Sequence, residues 1–321
     1  VYIVLPDTPP FAWALFGTLG CGAVVAMGNP ASPADDLAYV VDYSRASAVI
    51  ITESAAAKIS DCLQRAKHLR QVYVVPDTAT GEDPEVACSV PAGVKGVSLA
   101  GALAAAPQGH EAARTRRDDI AFWLFTSGST GRPKAALHSH RDFAFNTEVY
   151  AKETVGYRRG DVTVSVPNLY FGYATGTNLL FPFAVGATAA LFSERPTPHS
   201  VSAAIERYQP TIVTNVPTMI GKLLDHDEDR KARGEKPLDL SSVRFHLSAG
   251  EALPPPLLER FMARFGAEVY DGIGSAEMFH IYCSNRPGDV KPGSLGRVVQ
   301  GYELKILPRD AEGPGAEEVP V

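Results

Sequence analysis

Cysteine is scarce in this sequence, and the cysteines present follow no pattern. Four of the 321 residues are cysteines, with no CxxC spacing and no histidine pairs at the intervals typical of metal ligands. Their positions are Cys21, Cys62, Cys88 and Cys283. This argues against a disulfide framework and a zinc site. It favours a cytoplasmic protein whose cysteines are small buried apolar groups.

An excess of positive charge is also missing. Lysine and arginine together number 30 against 36 aspartates and glutamates, which gives a net charge of -6. Such a chain has no electrostatic reason to bind nucleic acid or an anionic membrane as its main partner. A small ligand is expected instead.

No apolar run reaches the roughly 20 residues that a membrane span needs. The run that comes near, at residues 11–27, is preceded by Pro9 and Pro10 and contains Gly20 and Gly22. Prolines favour the start of a helix and glycines favour its end. The segment is therefore expected to divide into a buried helix and a short Ala-Val strand.

Both ends of the sequence are expected to lie inside a longer chain. There is no starting methionine and no signal peptide, and the first residues, VYIVLPDTPP, already indicate a strand and a turn. The last residues, GPGAEEVPV, indicate a turn that enters another strand. We therefore expect the chain to be part of a longer enzyme.

Short β-branched or aromatic runs alternate with helical patterns along the chain. Strands are predicted at 49–52, 71–75, 120–125, 162–166, 188–192, 211–214, 243–248 and 268–271, and amphipathic helices at 200–208, 218–224 and 256–265. Continuously apolar strands such as 121–125 are typical of sheets buried on both faces. The pattern predicts an α/β fold with parallel sheets covered by helices.

Composition indicates where this fold divides. Residues 77–117 are rich in Ala, Pro and Gly and indicate a long surface connection. From Gly288 onward, short strands such as 304–307 indicate a small β-rich piece. We therefore predict one α/β subdomain at 1–115, a second at 116–285 and the start of a small β-barrel at 286–321.

The run TSGSTGRPK at 126–134 directly follows an apolar strand. Ligands of open α/β sheets bind beyond the carboxyl ends of the strands, where this loop would lie. Glycines, hydroxyls and the charge of Lys134 can together hold a polyphosphate, and the other residues concerned are Thr126, Ser127, Gly128, Ser129, Thr130 and Gly131. Spacing and Pro133 differ from the GxxxxGK[ST] P-loop, which disfavours an ordinary NTPase. By composition alone, the run could equally be a plain connecting loop.

The chain resembles the adenylate-forming superfamily in four motifs, which follow one another in the order found in that family. These are the phosphate loop at 126–134, the adenine-side loop SAGEALP at 248–254, the second nucleotide motif DGIGSAE at 271–277, and GSLGRVVQGYELKI at 293–306, which leads into a β-barrel. The resemblance covers essentially the whole chain. Within the superfamily, motifs such as LYFGYATG at 169–176 look most like those of benzoate-CoA and 2-aminobenzoate (anthranilate)-CoA ligases. The fold implied is the large N-terminal domain of such a ligase, with its C-terminal lid beyond residue 321.

The resemblance also implies an activity and its cofactors. Enzymes of this family join a carboxylate to AMP with release of pyrophosphate, using ATP and Mg²⁺, and the ligases then pass the acyl group to coenzyme A. The implied substrate is a small aromatic carboxylic acid, 2-aminobenzoate or benzoate. Two alternatives stay open: an aryl-acid adenylation domain that loads a carrier protein, and a lidless module that binds aryl-AMP.

The motifs assign residues to the nucleotide. The loop would hold the β- and γ-phosphates, with Lys134 neutralising charge on the leaving group, and Glu277 would hold Mg²⁺. The residues implied around adenine are Gly250, Glu251, Ala252, Asp271, Gly272 and Ile273. Among them, Asp271 would accept a hydrogen bond from the adenine amino group. Ile273 and Ala276 replace the tyrosine and threonine of the commoner YGxTE form, and the missing threonine hydroxyl removes one usual contact.

The acyl pocket implied by the resemblance lies between the loop at 170–175 and the strand after Glu277. Its residues are Tyr170, Phe171, Gly172, Tyr173, Gly274, His280 and Ile281. Aromatic walls suit a flat ring better than a fatty chain. Gly172 stands where an alanine is expected in benzoate ligases, and the missing methyl group would leave room for an ortho amino group. Met278 and Phe279 are expected to be core residues, and His138 and His140, which precede a helix, are expected to be structural.

Overall fold

The computed structural model describes residues 1–77, 92–107, 109–126 and 132–308. The strands in these residues are β1 (Tyr2–Val4), β2 (Val25–Met27), β3 (Ala48–Thr52), β4 (Gln71–Val75), β5 (Gly96–Ser98), β6 (Ile120–Thr126), β7 (Lys134–Ser139), β8 (Val162–Ser165), β9 (Thr188–Ala189), β10 (Ile212–Asn215), β11 (Phe245–Ser248), β12 (Glu268–Gly274), β13 (Ile281–Ser284) and β14 (Arg297–Val298). The α-helices are α1 (Pro9–Gly20), α2 (Ala34–Tyr43), α3 (Glu53–Lys58), α4 (Ser60–Arg65), α5 (Leu99–Ala105), α6 (His140–Asn146), α7 (Gly172–Thr175), α8 (Phe181–Ala184), α9 (Pro198–Tyr208), α10 (Pro217–Ala232) and α11 (Pro255–Phe265). Two π-helical segments cover Thr147–Thr154 and Gly176–Leu180, and a 3₁₀ turn covers Ala276–Met278.

The described strands form two seven-stranded sheets. The first has the order β5-β4-β3-β1-β2-β6-β7 and the second the order β14-β13-β12-β11-β10-β8-β9. Most neighbours are parallel, but β7 runs antiparallel to β6, and β13 runs antiparallel to both β12 and β14. The predicted α/β fold with two sheets is confirmed, with antiparallel strands added at one edge of each sheet. Antiparallel partners can be joined by a short loop, as β6 and β7 are, whereas parallel partners need a crossover.

The ranges 1–115, 116–285 and 286–321 stay a prediction, and the sheets divide the chain elsewhere. β6 and β7 belong to the first sheet although they follow residue 116, and β14 extends the second sheet although it follows residue 286. β5 and α5 lie inside the predicted surface connection. The strand predicted at 304–307 is wrong, because residues 301–308 form no strand, and 309–321 fall outside the described residues.

Side chains alternate between the faces of each strand and so build separate cores. Ile3 and Phe245, from different sheets, join one large apolar cluster. Tyr2, on the other face of β1, packs in a cluster with α2, α3 and α4. Val269, on the other face of the second sheet, packs in a cluster with α9, α10 and α11. Burial on both faces accounts for the continuously apolar strands in the sequence.

Residues 11–27 divide as predicted into most of α1 followed by β2. Among the helices that the structure describes, none is long and apolar enough to cross a membrane. The prediction of buried cysteines is confirmed for Cys283 and is wrong for Cys21, which is exposed because it directly follows the last turn of α1. Cys62 is half-buried, and Cys88 lies outside the described residues.

Candidate functional site

The segments that follow β8, β11 and β12 converge with the end of β6 around a cavity of about 230 Å³. Its lining residues are Leu124, Phe125, Tyr170, Phe171, Gly172, Tyr173, Ala249, Gly250, Gly274, Ser275, Ala276, Phe279, His280 and Ile281. All seven residues predicted for the acyl pocket are among them. A cavity this small with aromatic walls suits a compact flat ligand better than a long chain.

A second cavity of about 510 Å³ lies at the ends of β11 and β12. Its lining residues are Gly250, Glu251, Ala252, Leu253, Asp271, Gly272, Ile273, Gly274, Gly293, Ser294 and Leu295. They include all six residues predicted around adenine. Gly250 and Gly274 line both cavities, so the two spaces adjoin at these glycines. The larger cavity falls within the size range of ligand pockets, and the smaller one offers room for a small group beside it.

His280 is buried in the wall of the smaller cavity. Its Nε2 lies 3.0 Å from the carbonyl oxygen of Tyr173, which can only accept, so Nε2 carries the proton. Its Nδ1 is buried and has no hydrogen-bond partner among the described residues. Burial lowers the pKa of His280 to about 4, so the ring is neutral near pH 7. The lone pair on Nδ1 is therefore free to accept a hydrogen bond.

Three glycines give this cavity its shape. A Cβ on Gly274 would lie 2.4 Å from the backbone oxygen of His280, and a Cβ on Gly176 would lie 2.7 Å from the His280 ring. A Cβ on Gly172 would lie 2.9 Å from Cδ1 of Leu124, which also lines the cavity. Gly274 therefore allows the backbones of β12 and the segment 280–281 to pair closely. Gly176 leaves room for the His280 ring, and Gly172 leaves free space in the cavity beside Leu124.

Glu251 and Asp271 present different groups to the larger cavity. The Glu251 carboxylate accepts hydrogen bonds from the amide (3.2 Å) and hydroxyl (2.5 Å) of Thr218 at the start of α10. Its side chain is thus engaged, which leaves the backbone beside Gly250 for a ligand. Asp271 is buried, burial raises its pKa to about 6, and its Oδ1 lacks a hydrogen-bond partner among the described residues. An unpartnered buried carboxylate oxygen suits a donor such as the adenine amino group.

The two predicted catalytic residues lie in neighbouring elements. Lys134 opens β7 opposite Thr126, the last residue of β6, and its side chain is exposed. Of the seven residues between them, Ser127, Gly128, Ser129, Thr130 and Gly131 lie outside the described residues. Glu277 lies in the 3₁₀ turn directly after the segment 271–276 that lines the cavities, and it is also exposed.

The described residues suit a Mg²⁺ ion that is held mainly by the phosphates of a bound nucleotide and by water. No cluster of three or more His, Cys, Asp or Glu that could hold a metal occurs in them. No hydrogen bond or ion pair to another described residue occupies the Glu277 carboxylate. Mg²⁺ commonly takes one or two carboxylates together with substrate phosphates and water. A carboxylate with no described partner, directly after the lining residue Ala276, is compatible with this requirement.

Some residues of the site were not predicted from the sequence. The lining residues Leu124, Phe125 and Ala249 end or follow strands, and only the tertiary fold brings them to the cavity. The prediction of a core position is confirmed for Phe279, which also lines the cavity, and is wrong for Met278, which is 45% exposed. Met278 ends the 3₁₀ turn, and none of the three residues of this turn is buried.

Comparison with known proteins gives one consistent result. A family model described as AMP-binding enzyme matches residues 1–320. The benzoate-CoA ligase of Thauera aromatica is 38% identical over 310 residues, which are 97% of this chain and 55% of that protein. The anthranilate-CoA ligase of Pseudomonas aeruginosa is 32% identical over 320 residues, 99% of this chain and 56% of that protein. The chain thus spans about half the length of the curated relatives it matches.

A solved structure agrees with these relatives. The anthranilate CoA ligase AuaEII in complex with anthranoyl-AMP superposes with a TM-score of 0.86 at 31% sequence identity. The match covers 99% of this chain and 56% of that chain. The two sheets and the segments at their carboxyl ends are therefore shared with a known fold.

Proposed function

This chain belongs to the AMP-binding enzyme family, and from that premise we propose that it provides the adenylation site of an aryl-CoA ligase. The substrate proposed is a benzoate-type acid, 2-aminobenzoate or benzoate, and the location proposed is the cytoplasm. The observation that carries this proposal is the junction of the two cavities at Gly250 and Gly274. A carboxylate on an aromatic ring in the smaller cavity would point at a nucleotide in the larger one.

The reaction proposed needs no protein nucleophile. A carboxylate oxygen attacks the α-phosphorus of ATP, the bond from that phosphorus to the pyrophosphate oxygen breaks, and aryl-AMP and pyrophosphate result. Catalysis comes from holding the reactants in line and from stabilising the negative charge that develops on the leaving group. Lys134 and the loop at 126–131 would supply this stabilisation, and a Mg²⁺ ion on Glu277 would neutralise phosphate charge.

The second half-reaction proposed transfers the acyl group from AMP to the thiol of coenzyme A. This chain matches only about half of the length of its relatives. The CoA step is therefore assigned to the full-length protein and not to these residues alone. The alternative acceptor, a carrier protein, would use the same first half-reaction.

An ATP–pyrophosphate exchange assay with the full-length protein tests the proposal. The acids are benzoate, 2-aminobenzoate and 4-hydroxybenzoate, with a fatty acid as control. We expect exchange with benzoate or 2-aminobenzoate and none with the fatty acid, and added CoA should give an aryl thioester. Exchange with aryl acids but no thioester would favour the carrier-protein alternative. No exchange with any aryl acid would contradict the proposal.

The variant Gly172→Ala tests whether residue 172 sets the preference of the pocket between 2-aminobenzoate and benzoate. The new methyl group would meet Leu124 Cδ1 at 2.9 Å and reduce the free space of the smaller cavity. We expect kcat/KM for 2-aminobenzoate to fall about tenfold more than that for benzoate, since one methyl group in a pocket changes selectivity by roughly 10–200-fold. Steady-state kinetics with both acids measures the ratio. Equal losses for both acids would contradict this role of Gly172.

A further inference from the structure

His138 makes a long-range contact that its position in the sequence does not explain. It lies near the end of β7, is only 3% exposed, and its Nε2 lies 2.5 Å from the carbonyl oxygen of Ala276. That oxygen can only accept, so Nε2 carries the proton and donates. Ala276 is the residue directly before Glu277. The contact therefore joins β7, which begins at Lys134, to the turn that presents the predicted Mg²⁺ ligand.

Two further groups lie against this imidazole. The ring of Phe279 meets it edge to face, with centroids 5.2 Å apart, and so limits its rotation away from Ala276. Its Nδ1 lies 3.3 Å from Oδ2 of Asp142, which also accepts the amide of Ser139 at 2.9 Å in the cap of α6. That carboxylate oxygen can only accept, so it bonds Nδ1 only in an imidazole that carries a proton on both nitrogens.

The backbone of the turn has few and long hydrogen bonds of its own. Met278 N donates to Ser275 O at 3.3 Å, Phe279 N to Ala276 O at 3.2 Å, and Ser275 N to His280 O at 3.3 Å. The buried ring of Phe279 anchors the end of the turn in the core. None of these backbone bonds connects the turn to β7. The donation from His138 does so, and it ends on the same Ala276 oxygen.

We propose that His138 is a positioning residue that fixes the Glu277 turn on the strand that carries Lys134. This inference rests on the function proposed above, in which both residues act on the phosphates of one ATP. Without the contact, the carboxylate would be less well placed for the metal. This role is more specific than the structural one predicted for His138 from the sequence.

Three substitutions in the full-length protein test the role. The amide nitrogen of His138→Gln occupies a place similar to Nε2 and can still donate to Ala276. His138→Asn is too short to reach it, and His138→Leu has no donor. The control is His140→Leu, since the His140 ring lies 5.9 Å from that of Phe143 at the start of α6 and has no described bond to the turn.

The readouts are hydrogen exchange of the ligand-free protein at residues 275–279 and the Mg²⁺ dependence of ATP–pyrophosphate exchange. For the Leu and Asn variants we expect backbone exchange in the turn to rise about fivefold, as loss of one hydrogen bond predicts. The Mg²⁺ concentration for half-maximal activity should rise about tenfold, as when a metal ligand loses its supporting partner. The Gln variant and the His140→Leu control should resemble the wild type.

Equal effects of Gln and Leu, or a Leu variant with wild-type exchange at 275–279, would overturn the inference. If the Leu variant does not fold, the comparison of Asn with Gln decides. Absence of activity in the wild type would contradict the proposed function instead, and hydrogen exchange would still decide whether His138 holds the turn.

Discussion

The variant Gly274→Ala is expected to lose both the aryl pocket and a large part of its stability. The new Cβ would lie 2.4 Å from the oxygen and 2.7 Å from the carbonyl carbon of His280, and 2.9 Å from the nitrogen of Ile281. All three are backbone atoms, and they belong to the segment that β12 pairs with across an irregular register. No side-chain rotation can relieve these contacts, so β12 and β13 would have to separate at this point.

The expected cost is about 3 kcal/mol in the free energy of unfolding, the upper part of the range for an extra methyl group in a packed site. Because Gly274 lines both cavities, binding of the acid and of the nucleotide should both weaken. Urea unfolding gives the free energy, and calorimetric titration with ATP and with the acid gives the binding constants.

The matched control is Gly172→Ala, which adds the same methyl group in the same cavity. Its nearest atom is the tip of the Leu124 side chain, which can rotate, so the stability should change by less than about 1.5 kcal/mol. A Gly274→Ala protein as stable as this control would show that the close backbone pairing is not required.

Strands with buried faces were predictable because their apolar runs are local. The strand predicted at 71–75 coincides with β4, and that at 49–52 misses only the first residue of β3. The sheet to which a strand belongs was harder to predict. β6 follows a long connection rich in Ala, Pro and Gly, and it joins the first sheet by parallel pairing with the distant strand β2. Its other side pairs with β7, a strand that no periodicity in the sequence announced.

The residues of the candidate site likewise include some that the sequence identified and some that it could not. Motif resemblance identified residues of β12 and of the segment after β8, since their order along the chain is distinctive. It could not identify Leu124 or Ala249, which are ordinary residues that reach the cavity only when the sheets pack. His138 and Ala276 are 138 positions apart, so no local pattern could have linked the histidine to the turn that carries Glu277.

The variant Glu277→Gln is expected to lower the rate of ATP–pyrophosphate exchange by about a hundredfold at limiting Mg²⁺, the upper end of the effect of weakening a metal site. The amide keeps the shape of the side chain and removes the charge that a hard cation prefers. Because the carboxylate is exposed at the end of a short turn, its loss should leave the fold intact. Higher Mg²⁺ concentrations should restore part of the rate, since mass action offsets a weaker site.

The matched control is Glu259→Gln, an exposed glutamate of α11 outside both cavities. It makes the same change in net charge, so a general electrostatic effect on binding of the anionic nucleotide would alter both variants alike. Initial exchange rates measured against Mg²⁺ concentration separate the two cases. A shift confined to Glu277→Gln would assign the metal to this carboxylate. Identical curves for the two variants would mean that Mg²⁺ is held by other groups, and that the Glu277 turn has no catalytic role for His138 to support.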